Sequence, residues 1–361
     1  MKEKFNLLIS VLVLVSMLAA CTPATTETPA TEVPATTEAP VKEMCMTVEE
    51  LDAKIAQYAG GYERHTFTTT TPETPVRIAY LAYENNPFWQ MQKVGMTNAI
   101  ADAEAAGIPL VVDFNVVSED LDPAKMVAAI ENAIVQEYNG IYLFPVNEAL
   151  LDAEQAAVEA GVAVGHIAVN YEGSPALISI GQDLYNAGKA AGYLMIKENG
   201  GFGKVGIITG QFGVTAHELR MNGFKEALAE CPGMEIVGEF EAHDSSDESY
   251  AHAQNLMSAN PDLTGIYLTA GGPFGAARAV EEANKVDEVF VIGFDVTEQV
   301  IPYVQNGSMI TIHQHETWQN HDVIVFLYNY IVDGTLPPAS QLFTTAEVVT
   351  AENVDEFWPV R

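Results

Sequence analysis

The 361-residue sequence predicts an α/β protein made of two doubly wound parallel-sheet lobes. Three observations carry that expectation. Short apolar, β-branched runs alternate with Ala-rich stretches of helical period, the pattern of repeated βαβ units whose sheets are covered on both faces. About nine such runs over roughly 280 residues are too many for one ordinary sheet. Several turns leading from run to helix carry helix-capping residues.

The runs fall at 76–83, 110–116, 140–145, 162–169, 204–209, 235–240, 265–270, 289–293 and 309–313. Segments such as 124–137 and 187–197 lie between them and show apolar residues at helical spacing. Asn86 before Pro87, Asp122 before Pro123, and Ser245 three residues before Glu248 each fit a helix N-cap. Open α/β lobes bind ligands at the C-terminal ends of their strands, so two of them offer a site where those ends face each other.

Before this body come three stretches of different character. Residues 1–20 have basic Lys2 and Lys4, an apolar run and the small residues Ala19 and Ala20, the pattern of a secretion signal. Residues 18–21, ending in Cys21, resemble the lipobox of bacterial lipoproteins, in which the Cys is acylated and becomes the mature N-terminus. A tether expected to be disordered, rich in Thr, Pro, Ala and Glu, follows within 21–46. In 47–75, Thr47 with Glu50 forms a capping box opening a short helix that ends at Gly60 and Gly61. No function follows from that helix or from the Thr-rich stretch after it.

With 16 Lys and Arg against 49 Asp and Glu, the formal charge of −33 repels phosphate, and no nucleic-acid partner is expected. Beyond Cys21 there are two cysteines, Cys45 and Cys231. They lie in no metal or redox pattern, and both a disulfide and two free thiols remain open.

The residues 78–89, IAYLAYENNPFW, resemble the opening of the ribose-binding-protein and lac-repressor-like group of type 1 periplasmic binding proteins. Five more blocks follow in that family's order: GIYLFPVN from Gly140, ISIGQDLYNAGKAAG from Ile178, GQFGVTAHELRMNGF from Gly210, VFVIGFDVT from Val289 and TIHQ from Thr311. The resemblance spans about 76–349 and implies two lobes joined by three crossing segments. Lobe 1 is then expected at 76–181 with 315–341, and lobe 2 at 182–314 with 342–361. Where repressor relatives carry a DNA-binding domain, this chain has a signal and a tether.

Carried over position by position, the resemblance implies a pocket of Asn86, Phe88, Trp89, Asn147, Asp295 and Gln314, with Glu218 and Asp244 at two positions that depart from the ribose pattern. Aromatic rings suit the C–H faces of a sugar, and amides and carboxylates suit its hydroxyls. Ala168 and Val169 replace an expected Asp-Arg pair, Ala270 with Gly271 and Gly272 replaces Ala-Asn-Asp, and Glu218 replaces the first Arg of an Arg-x-Arg pair of which Arg220 fits the second. A pocket of this inferred composition contains no Lys or Arg, which favours a neutral sugar or polyol over a sugar acid or phosphate.

Other chemistry is weaker. His313, His315 and His321 invite a metal reading, but strand alternation turns His313 and His315 away from Gln314. His166, His217 and His243 are read as flanking the pocket. The run from Asn199 to Lys204 lacks the spacing of a phosphate loop. Neither a catalytic motif nor a cofactor is expected. The resemblance implies an extracytoplasmic, lipid-anchored, monomeric solute-binding protein that serves the permease of an ABC importer. A receptor feeding a chemotaxis or sensor-kinase system, a binder of a nucleoside or autoinducer, and a lipid-anchored hydrolase are the alternatives.

Overall fold

The computed structural model describes residues 44–83 and 86–358. The secretion signal, Cys21 and most of the tether lie outside the described residues. The N-terminal helix α1 (Val48–Ala56) starts as its capping box requires: Glu50 N donates to Thr47 Oγ1 at 3.2 Å, and Thr47 N donates to Glu50 Oε2 at 2.8 Å.

The first lobe runs β1 (Val76–Tyr83), α2 (Pro87–Ala105), β2 (Leu110–Ser118), α3 (Pro123–Val135), β3 (Gly140–Leu143), α4 (Leu151–Glu159), β4 (Ala163–Ile167) and β5 (Ile178–Gln182). The second repeats the plan with α5 (Leu184–Glu198), β6 (Gly203–Thr209), α6 (Thr215–Ala229), β7 (Met234–Glu241), α7 (Ser246–Ala259), β8 (Leu263–Leu268), α8 (Pro273–Glu282), β9 (Phe290–Phe294), α9 (Ile301–Gln305) and β10 (Ile310–His313). Then α10 (Glu316–Asp333) and β11 (Gln341–Thr344) return to the first lobe, and β12 (Glu347–Val349) and α11 (Val354–Phe357) to the second. Asn86, Asp122 and Ser245 each accept a backbone N–H at the start of their helix. None of the helices among the described residues is long and apolar enough to cross a membrane.

The sheets are ordered β11-β5-β4-β3-β1-β2 and β12-β10-β9-β8-β6-β7. All pairings are parallel except β10 with β12. In each lobe the order reverses between the first and third strands of the lobe, and such switch points are where doubly wound sheets bind ligands. Here they are β1/β3 and β6/β8, and the turns and helix starts after those strands contribute to the site together with the turns after β7, β9 and β10.

Three strands exceed the nine runs visible in the sequence. β5 (ISIGQ) and β11 (QLFT) mix apolar with polar residues, and β12 (EVV) has three residues, so none of them makes an apolar run. β11 also corrects a boundary. Gln341 to Thr344 pair in parallel with Ser179 to Gln182, so the last crossing falls at Thr345 and Ala346 rather than after residue 341. The other crossings fall at Gln182–Asp183 and Gln314–His315.

The lobes touch. Thr215 N donates to Val146 O across the gap at 3.1 Å, and Leu184, Val214 and Ala216 of the second lobe join the apolar cluster of the first. This is a closed arrangement. Beside the hinge, α5 and α6 pack at backbone distance, which only glycine allows: a Cβ on Gly188 would lie 2.1 Å from Arg220 O, and one on Gly223 would lie 2.0 Å from Tyr185 O. Cys45 and Cys231, left open by the sequence, are joined as a disulfide with Cα atoms 5.3 Å apart.

Candidate functional site

Between the lobes lies a narrow cavity lined by residues of both. The first lobe supplies an aromatic wall. Asn86 uses its Oδ1 to cap α2, accepting from Phe88 N at 2.9 Å, and that cap fixes where the next two side chains point. Phe88 and Trp89 meet edge to face at 4.8 Å, and Trp89 meets Phe144 in the same way at 5.5 Å. Trp89 is both wall and core: it lines the cavity, is 4% exposed and packs into the first lobe's apolar cluster. Opposite, a Cβ on Gly271 would lie 2.7 Å from Asn86 Nδ2, so a glycine there lets the second lobe close on Asn86.

The second lobe and the crossings supply a polar floor. Asp295, 5% exposed, follows β9 and accepts from Gln314 Nε2. Gln314 Oε1 in turn accepts from Arg220 Nη2 at 3.0 Å, and the same nitrogen donates to Gln182 Oε1 at 3.1 Å. Arg220 Nη1 donates to Thr269 O at 3.0 Å, and its guanidinium lies 3.6 Å over the Phe294 ring. Asp244 Oδ1 accepts from Gly271 N at 3.0 Å. Asp244, Asp295 and Ala168, all lining the cavity, have φ of 58°, 75° and 66°. Left-handed backbone at non-glycine residues costs on the order of 1 kcal/mol or more, and it concentrates at binding sites.

Burial sets the charge states. His217 Nδ1 lies 2.9 Å from Gln211 N and 3.2 Å from Gln211 O, and burial lowers the imidazole pKa, which favours the neutral ring. Burial raises the Asp295 carboxyl, against the opposing pull of Arg220 and the Gln314 hydrogen bond. Glu316, fully buried at the start of α10, is pushed up much further, first by burial and then by the charge of Asp295. Its neighbour His313, 3.3 Å away, is held neutral mainly by its own burial and offers no counter-charge. Glu316 therefore keeps its proton in preference to Asp295, which Arg220 and Gln314 stabilise as the anion.

The sign of the pH effect follows. With carboxyl pKa values raised by folding, the folded chain holds protons that the unfolded chain has released, so stability falls as pH rises above the ordinary carboxylate range. Glu316→Gln fixes the neutral form. Its melting temperature should equal or exceed that of wild type at neutral pH, and should fall less between about pH 5 and about pH 8. A steeper fall in the variant would refute this assignment of the proton.

Six of the eight expected residues, Asn86, Phe88, Trp89, Asp244, Asp295 and Gln314, line the cavity. Asn147 does not, because its Oδ1 accepts from Ala149 N at 3.0 Å and caps the short turn Glu148–Leu150. Nor does Glu218, whose Oε1 accepts from Gly213 N at 3.2 Å. The expectation of a pocket without Arg is overturned: Arg220 sits at its floor. His217, read as flanking, lines the cavity as well. His217 and Arg220 are three residues apart on α6 and share a face, and Glu218 is turned about 100° from His217. That spacing was the available signal.

The remaining histidines have local partners. His166 Nε2 meets Glu154 Oε1 at 3.0 Å, and His243 Nδ1 meets Glu248 Oε2 at 2.9 Å. His315 Nε2 meets Glu347 Oε2 at 2.7 Å, while His321 lies between Asp102 and Asp322. Among the described residues no group of three or more His, Cys, Asp or Glu is placed to hold a metal ion.

Comparison with known proteins supports the two-lobed fold. A D-ribose/D-allose-binding protein of Pseudomonas aeruginosa is 25% identical over 252 residues, covering 66% of this chain and 76% of that protein. A ribose import binding protein of Salmonella typhimurium is 28% identical over 227 residues, covering 62% and 74%. The crystal structure of an ABC transporter periplasmic solute binding protein from Actinobacillus succinogenes with bound D-allose superposes with a TM-score of 0.70 at 26% identity, covering 78% of this chain and 100% of that one. The periplasmic binding protein domain model matches residues 79–334, from the first strand of one lobe to the end of the long helix after the second, and the chain belongs to that family.

Proposed function

We propose that this chain captures a neutral sugar or polyol outside the cytoplasm and presents it to the permease of an ABC importer, held at the membrane by acylated Cys21. It is a binding protein and not an enzyme. The observation that carries the ligand class is the pairing of an aromatic wall on one lobe, Phe88 and Trp89, with Asp295, Gln314 and Arg220 on the other. Rings cover the apolar face of a pyranose or furanose, and the carboxylate and amides take its hydroxyls. Arg220 offers an anionic solute no net positive charge: Nη1 and Nη2 are engaged, and although Nε has no partner, Asp295 and Asp244 outweigh the guanidinium. The sugars named for the two relatives and for the D-allose complex support the same class.

Capture works by closure. A solute that bridges both lobes binds the closed form better than the open one and shifts the hinge equilibrium by that difference. A thermal-shift screen of neutral pentoses, hexoses and inositols, alongside amino acids and nucleosides, tests the ligand class. At least one sugar or polyol should raise the melting temperature by several degrees at millimolar concentration. Stabilisation by an amino acid or nucleoside, with none by any sugar or polyol, would overturn it.

A further inference from the structure

Residues 44–75 take no part in the cavity, yet they are anchored to both lobes. On the second lobe Cys45 is bonded to Cys231 and Leu51 is fully buried in the lobe's apolar cluster. Lys54 Nζ pairs with Glu230 at 2.9 Å, Lys197 Nζ reaches Asp52 at 2.7 Å, and Tyr58 stacks on Tyr193. Four residues after Tyr58 the partners change. Tyr62 Oη, Arg64 Nε and His65 N all donate to the buried carboxylate of Asp322 on α10, at 2.8, 3.0 and 3.0 Å. Beyond them Thr68 N donates to Asn329 Oδ1 at 2.7 Å, and Tyr328 Oη donates to Thr70 O at 3.1 Å.

The change of lobe takes place at Ala59, Gly60 and Gly61. Gly60 has φ of +64°, and Ala59 O accepts from Ala346 N at 3.3 Å. Ala346 lies in the crossing between β11 and β12, so the segment passes from lobe to lobe alongside an existing hinge strand. We propose that residues 59–61 are a fourth interlobe crossing and that the N-terminal segment is a strap limiting how far the cleft opens. Its second-lobe end is covalent, and its first-lobe end is a carboxylate taking three donors. The step from Tyr58 to Tyr62 spans at most about 14 Å when fully extended, so the two docking points cannot separate further while both hold. Limiting the open state narrows what the ligand must overcome on closure, and raises apparent affinity without any added contact to solute.

The test needs no ligand and is independent of the sugar assignment. Spin labels on Glu148→Cys and Phe212→Cys, exposed positions on opposite lobes, report the separation of the cleft rims in the ligand-free full chain. Cys21→Ser keeps the anchor thiol unlabelled. An insertion of about eight Gly and Ser residues between Gly60 and Gly61 leaves both anchors in place and adds roughly 26 Å of reach. The distance distribution should move several ångströms outward and broaden, with the melting temperature little changed. A distribution identical to that of the uninserted chain would overturn the strap. Should the insertion variant fail to fold, Cys45→Ser with Cys231→Ser, which frees the covalent end, is read in the same way.

Discussion

Asp295→Asn should lower affinity for the stabilising sugar by about 10²–10³-fold and should also lower the melting temperature of the sugar-free protein. Both effects come from one fact. The Asp295 carboxylate is buried at the cavity floor, where burial opposes ionisation and Arg220 and Gln314 sustain it. In the empty site it is the counter-charge of buried Arg220, and its loss leaves that cation uncompensated. When a solute is bound it also accepts from hydroxyl donors, each charge-assisted bond giving roughly 1.5–3 kcal/mol, and two of them account for the expected factor. Asparagine keeps the shape and, with Oδ1 toward Gln314 Nε2, that hydrogen bond, but loses the charge and one acceptor. Titration calorimetry and a melting curve without sugar read the two effects separately. Unaltered affinity would remove Asp295 from the ligand's contacts.

How far the site could be read beforehand depended on where its residues sit. Asn86, Asp295 and Gln314 stand just past strand ends, and Phe88 and Trp89 in the first turn of the helix that follows, at places whose order along the chain sets their position in space, so a match of short blocks carried them over. Arg220 and Glu218 are two residues apart on one helix, and only the rotation of that helix decides which faces the cavity. No block match contains that rotation; the spacing from His217 to Arg220 does. Asn147 erred differently, since a side chain that can cap a turn is equally fit to bind a hydroxyl, and local geometry chose the cap.

The lobes were legible because parallel strands buried on both faces leave apolar runs, and β5, β11 and β12 were not because polar residues interrupt the first two and the third has three residues. The Cys45–Cys231 bond and the strap joined to it were beyond reach for another reason. The two cysteines lie 186 residues apart in sequence, and nothing local to Cys45 identifies the turn after α6 as its neighbour.

Arg220→Met should be the more damaging change, because it removes the one group that ties the floor of the cavity to the hinge. The guanidinium, 5% exposed, donates to Thr269 O at the end of β8, to Gln182 where the chain leaves the first lobe, and to Gln314 where it returns. Methionine fills much of the volume against Phe294 but leaves those oxygens unpaired and Asp295 without its cation. Breaking a buried pair from one side costs about 3–5 kcal/mol, so the melting temperature should fall by several degrees or more. A second consequence separates charge from packing. Without Arg220 the Asp295 carboxyl rises further, the acceptor is protonated over more of the pH range, and whatever sugar binding survives should strengthen as pH is raised, more steeply than in wild type. Arg220→Lys, which keeps a cation but not the planar fork, should restore part of the wild-type pH profile and little of the melting temperature. A methionine variant that binds with the pH profile of wild type would show that Arg220 serves packing alone, and that the anionic state of Asp295 is sustained by Gln314.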